Sequence, residues 1–261
     1  MADADALRDA GLTGVPATPE PAPPPTAAPG DETVMSLVDH LDELRKRLFR
    51  VILAVVAGGV IGFYFATTVR NYLLALLPDG SAQTLGPGDA FAIQLRISLV
   101  IGVIIAMPVI LYQVWAFIAP GLTPSERKTV RPWVPLALGF FALGVAIAYL
   151  VLPYALQFLF SFNDEQLVEN VAAGPYFDFV TTMFLAFGLV MEFPILLVGL
   201  SRVGIVTSQR LRGARRYVIL AIAIFSAVAT PGGDLVSPFV LGGTMFLLFE
   251  LTVLFIKRTG R

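Results

Sequence analysis

From residue 35 onward the chain alternates long apolar runs with short polar segments. A helix that crosses a bilayer needs about 20 predominantly apolar residues, within a range of roughly 17 to 25. The first run of that kind extends from Val51 to Val69 without a charge, and the second from Ile97 to about Phe117. A third lies within Trp133 to Phe162, bounded and bent by Pro135 and Pro153. The fourth, Phe179 to Ser201, contains a single ionisable residue, Glu192. The fifth and sixth, Tyr217 to about Thr230 and about Pro238 to Ile256, are short for a hydrocarbon core of ~30 Å. Membrane thinning, burial against a partner, or helices that begin a few residues earlier would each relieve that mismatch. The pattern predicts an all-α polytopic membrane protein with six transmembrane helices. In the first span Ala54, Gly58 and Gly62 recur at four-residue spacing, which either lets two backbones approach closely or is incidental in a glycine-rich chain.

Charge orients these spans. Arg45, Lys46, Arg47 and Arg50 fall on one set of flanks with Arg127, Lys128 and Arg131. Arg202, Arg210, Arg212, Arg215 and Arg216 join them, as do Lys257, Arg258 and Arg261. The opposite flanks hold only Arg70 and Arg96. An excess of Lys and Arg marks the cytoplasmic side, so both termini are expected there. Residues 1–34 read differently: MADADALRDAGL places acids where a signal peptide would be basic, and VPATPEPAPPPTAAPG cannot bury a core. The expected organisation is a disordered tail over 1–34, a six-helix transmembrane domain over 35–257 and a short cytoplasmic tail over 258–261.

Composition then narrows the chemistry. With 56% hydrophobic and 14% charged residues the chain is not an ordinary soluble domain. It has no cysteine and one histidine, His40, which excludes disulfides, thiolate sites, cysteine nucleophiles and histidine-cluster metal sites. No G-x-x-x-x-G-K-[ST] occurs, so ATP coupling within this chain is not expected. Neither a metal nor a cofactor is implied, and an enzyme is not expected from carboxylates, arginines and hydroxyls alone.

Two cytoplasmic stretches carry unusual carboxylates. SLVDHLDELRKRLF, Ser36 to Phe49, reads as an amphipathic helix leading into the first span, with Ser36 as N-cap and Asp39 in the first turn. Leu37, Leu41, Leu44 and Leu48 form its apolar stripe, flanked by His40, Glu43 and Arg47. Spacing alone makes Glu43 an i,i+4 partner of Arg47. In YQVWAFIAPGLTPSERK, Tyr112 to Lys128, the chain turns at Pro120-Gly121 and restarts at Thr123-Pro124. Thr123 with Glu126 forms a capping box with Pro124 at the first helical position.

A third carboxylate lies inside the bilayer. FGLVMEFPILLVG, Phe187 to Gly199, places Glu192 two residues before Pro194, which deprives the carbonyl of Val190 of its helix bond. One reading of Glu192 is a neutral side chain hydrogen-bonded to such a carbonyl or a nearby hydroxyl. The other is a polar docking point for a partner helix.

HLDELRKRL, YQVWAFIAPGL with the SER that follows, FGLVMEFP and TPGGDLVS, in that order, resemble the TatC family of twin-arginine translocase subunits. The resemblance covers Met35 to about Lys257. It implies a non-enzymatic receptor for N-terminal signal peptides with two consecutive arginines, in a bacterial or archaeal cytoplasmic membrane. It further implies export of folded precursor proteins, driven by the proton-motive force. The family's twin-arginine site falls on Glu43 and Glu126, with Arg45 and Arg47 shaping the surface and Phe117 and Pro120 fixing the loop. Guanidinium takes a carboxylate bidentately, which lysine cannot reproduce, so two arginines call for two acceptors. Glu192 and Pro194 match the family's intramembrane Glu-x-Pro, implying contact with TatA- and TatB-type single-span partners in a multimeric complex. Thr230, Pro231 and Asp234 match an outer turn, here one residue longer, and Pro238 stands where the family often has glutamine. Glu250 is read as snorkelling or pairing near Lys257 and Arg258. No nucleic-acid partner is implied.

The competing reading is a proton-coupled small-solute transporter that uses Glu192 as its proton carrier. The spans show no internal repeat and no second buried ion partner to support it.

Overall fold

The first apolar run belongs to a much longer rod than its length requires. In the computed structural model, helix α1 extends over Leu37–Leu74, 38 residues, which at 1.5 Å per residue is roughly 57 Å, nearly twice a ~30 Å hydrocarbon core. The amphipathic segment and the first span are therefore one continuous helix. The structure describes residues 37–121, 123, 127, 132–163, 170–202, 208–230 and 234–258. The chain divides into two units, Met1–His40 and Leu41–Arg261. The first enters the described residues only as the opening of α1, and the architecture that follows is that of the second. The expected tail over 1–34 and the N-cap Ser36 lie outside the described residues, as do residues 259–261.

Helix α2 covers Asp89–Ile118 and ends in a tight turn, Ala119–Gly121. Helix α3 covers Trp133–Phe160 and continues through Pro153. The fourth span is broken into α4, Ala173–Val190, and α5, Phe193–Arg202. A short α6, Ser208–Gly213, precedes α7, Arg215–Ala229, and α8 closes the chain over Val236–Arg258. Among the described residues the only β-type pairing is an isolated bridge between Gln83 and Ala172. Among the described residues five stretches are long and apolar enough to cross a membrane, and α7 stands where the fifth span is expected. The fold is all-α with six transmembrane helices.

The two spans expected to be short turn out differently. Helix α7 is short as expected, 15 residues or roughly 22 Å. Helix α8 is not: its 23 residues reach roughly 34 Å, enough to cross. The reason is a cap upstream of Pro238, where Asp234 Oδ1 accepts the Ser237 N–H at 2.5 Å. Proline is tolerated in the first turn, so the helix starts before it rather than at it. At the other end Lys257 and Arg258 extend the helix where cations favour its dipole.

The core lies where α3, α4 and α8 meet, around Leu152, Phe177, Met183, Phe187, Leu241 and Phe249, all at most 1% exposed. Helix α4 approaches α3 closely because Gly188 faces the ring of Phe141; a Cβ there would lie 2.6 Å from it. By contrast α1 exposes Leu53, Val56, Val60 and Tyr64, as a helix at the lipid-facing edge should. Its outer end is tied down by Tyr176 on α4, which donates to the Leu73 carbonyl at 2.6 Å. Beside it, Gln83 exchanges backbone bonds of 2.8 Å with Val171 and Ala173, and Arg96 on α2 pairs with Asp178 on α4.

Candidate functional site

The cytoplasmic ends of α1 and α2 are joined through one arginine. Arg47 Nε donates to Glu43 Oε1 at 3.0 Å, and Nη2 contacts the same oxygen. The remaining nitrogen, Nη1, donates to Gln113 Oε1 at 3.3 Å. The i,i+4 pair expected from spacing is therefore present, and it reaches across to a second helix. The side chains of Arg47 and Glu43 are only 17% and 18% exposed, so solvent screens this pair less than an ordinary surface pair. Gln113 is buried. It was not singled out in the sequence, although an amide one turn from the end of an apolar run is a legible anomaly. Arg45 is exposed on α1.

Beyond α2 the chain turns on Ala119, which is 1% exposed and whose N–H bonds the Trp115 carbonyl. Phe117 is half-buried, whereas Pro120 is exposed, so the packing that seats this turn falls to Ala119 and Phe117. Thr123 accepts the Arg127 N–H at 2.9 Å, the i,i+4 bond expected of a helix start at Thr123. Arg127 lies with its guanidinium 5.8 Å from the centroid of the Trp115 ring, a cation–π contact. Trp115 is packed in turn against Tyr112. Glu126, the second expected acceptor, lies outside the described residues.

Glu192 sits at the break in the fourth span. Its N–H bonds Leu189 O at 3.1 Å, and its own carbonyl accepts from Ile195 and Leu196, both at 3.1 Å. Because Pro194 has no N–H, α4 ends at Val190 and Glu192 opens α5. Glu192 is buried at 7% exposure, and Oε1 has no hydrogen-bond partner among the described residues. The local hydrogen bond of the neutral reading is thus absent at that oxygen. An unsatisfied buried polar group costs about 1–3 kcal/mol, more if charged, so the side chain is poorly served by its own chain. Pro194 is buried beside it.

Thr230 and Asp234, at the two ends of the outer turn, are also buried. Thr230 Oγ1 donates to Ser226 O at 2.7 Å, and Asp234 caps α8 while its Oδ2 has no partner among the described residues. Pro231 lies outside the described residues. Glu250 pairs with Arg215 across α7 and α8 at 2.5 Å, which selects pairing over snorkelling.

Residues 39–243 match the family model described as Sec-independent protein translocase protein (TatC). The chain belongs to the TatC family. The TatC protein of Azotobacter chroococcum is 39% identical over 236 residues, covering 88% of this chain and 92% of that one. That of Aquifex aeolicus is 37% identical over 237 residues, covering 87% and 97%. A crystal structure of the twin arginine translocase receptor TatC superposes with a TM-score of 0.73 at 35% identity, covering 85% of this chain and all of that one. TatC proteins are translocase components rather than enzymes. The match leaves the solute-transporter reading of Glu192 without support.

Proposed function

We propose that this TatC-family chain is the receptor of a twin-arginine export system in a bacterial or archaeal cytoplasmic membrane. It binds the twin-arginine signal peptides of folded precursor proteins at Glu43 and Glu126. Arg45 and Arg47 shape the surface, and Phe117 and Pro120 set the loop. The observation that carries this reading is convergence on α2. Arg47 ties Glu43 to Gln113, and Arg127, the chain neighbour of Glu126, lies over Trp115 two residues further along the same helix. Glu43, through Arg47, and Arg127 are thus both tied to the same end of α2. A partly buried carboxylate there binds a guanidinium more strongly than one in open water.

In the same reading Glu192 and Pro194 meet TatA- or TatB-type single-span proteins in a multimeric complex, with the outer turn of Thr230, Pro231 and Asp234 contributing. A carboxylate oxygen unserved within its own chain supports a partner that brings a donor. Transport then draws on the proton-motive force.

A photo-crosslinkable twin-arginine signal peptide, presented to the purified chain, tests the receptor reading. Crosslinking should fall strongly with Glu43→Ala and with Glu126→Ala. Unchanged crosslinking to both variants would remove the assignment.

A further inference from the structure

The carboxylate assigned above to an incoming arginine already holds one. Arg47 contacts Glu43 Oε1 through two nitrogens, Nε at 3.0 Å and Nη2, and keeps Nη1 on Gln113 at 3.3 Å. Both donors fall on Oε1, so a peptide arginine that takes both oxygens of this carboxylate must compete with Arg47 for that one. Gln113 is buried on a different helix and close enough to retain Arg47 when Glu43 lets go.

Resting on the receptor reading, we propose that Arg47 is an internal stand-in for a signal-peptide arginine, and that Gln113 is the positioning residue that keeps Arg47 aside once the peptide occupies Glu43. In the exchange the charge pair at Glu43 is replaced by an equivalent pair, and Arg47, its fork released, moves from the single 3.3 Å contact to fuller hydrogen bonding with Gln113. The glutamine amide supplies an uncharged acceptor, so the displaced arginine stays hydrogen-bonded without needing a second carboxylate. A lysine in the peptide brings a compact, strongly hydrated charge without a fork, so it repays the displacement of Arg47 less well than an arginine does.

Binding of a labelled twin-arginine signal peptide and its twin-lysine counterpart to the full chain in nanodiscs tests this. Gln113→Leu should weaken twin-arginine binding about 10- to 100-fold, the range of one hydrogen bond to a charged group. In an Arg47→Gln background the same change should add nothing, because Gln113 acts through Arg47. Arg47→Gln alone should tighten both peptides by a similar factor, because it removes the group that each must displace. Gln113→Glu, a stronger acceptor for Arg47, should tighten twin-arginine binding. An equal loss from Gln113→Leu in both backgrounds would overturn the exchange, as would weaker binding of both peptides to Arg47→Gln. Glu43→Ala serves as the separate control. If it binds the twin-arginine peptide like the native chain, the receptor reading falls and the exchange with it; if it loses binding while the Gln113 variants match the native chain, only the exchange falls.

Discussion

Gly58 on α1 and Gly102 on α2 are in backbone contact: a Cβ on Gly58 would lie 2.6 Å from the Gly102 carbonyl oxygen. One helical turn along, Gly62 faces Ser98 in the same way. Since α1 is otherwise largely exposed, this crossing helps fix where Glu43 stands relative to Gln113. Gly58→Leu should therefore destabilise the chain by about 1–3 kcal/mol, the usual cost of overpacking. Gly59→Leu serves as the comparison, because the nearest atom to a Cβ there is 3.9 Å away. Thermal unfolding in detergent should show a clear drop for the first and a small one for the second.

The cap on α8 gives a second prediction. Asp234→Ala removes the acceptor of the Ser237 N–H and should cost about 0.5–2 kcal/mol, whereas Asp234→Asn keeps an acceptor and should cost less. Equal losses in thermal unfolding would show that the cap is not what holds this end of α8.

Much of the fold could be read from hydrophobic run length. The C-terminal limits of the first two spans were visible to within five residues, but their helices begin 14 and 8 residues before the apolar runs, and the sixth was underestimated because Pro238 looks like a boundary and is a first-turn residue. The break at Glu192 followed from Pro194. The Ala54, Gly58, Gly62 spacing was ambiguous by itself and gained meaning only when Gly102 appeared opposite. Gln113 was missed for a related reason: its role depends on a partner 66 positions away, which no local pattern reports. The Glu43–Arg47 pair was legible from i,i+4 geometry. That it is mostly shielded from solvent was not, because shielding depends on how α1 and α2 pack.

On the proposed reading, the contact of Glu192 with a partner helix requires a polar group more than a particular charge. Glu192→Gln keeps size and hydrogen bonding, so it should retain co-purification of single-span partners. Glu192→Leu should lose it. Loss with both variants would mean that the ionised carboxylate itself is needed.

The Arg215–Glu250 pair should matter little to stability. Both side chains are substantially exposed, at 48% and 31%, and exposed pairs contribute about 0–1 kcal/mol. Glu250→Gln should shift the unfolding midpoint only slightly, and less still at high salt. A large shift would point to a load on this pair from outside the chain.

The most direct test compares a twin-arginine signal peptide with its twin-lysine form on the native chain and on a Glu43→Ala, Glu126→Ala double variant. Two lost bidentate contacts, each worth about 1.5–3 kcal/mol, should make the native chain prefer arginine by at least tenfold. In the double variant that preference should vanish. A preference that survives the removal of both carboxylates would place the twin-arginine site elsewhere and contradict the receptor reading at its centre.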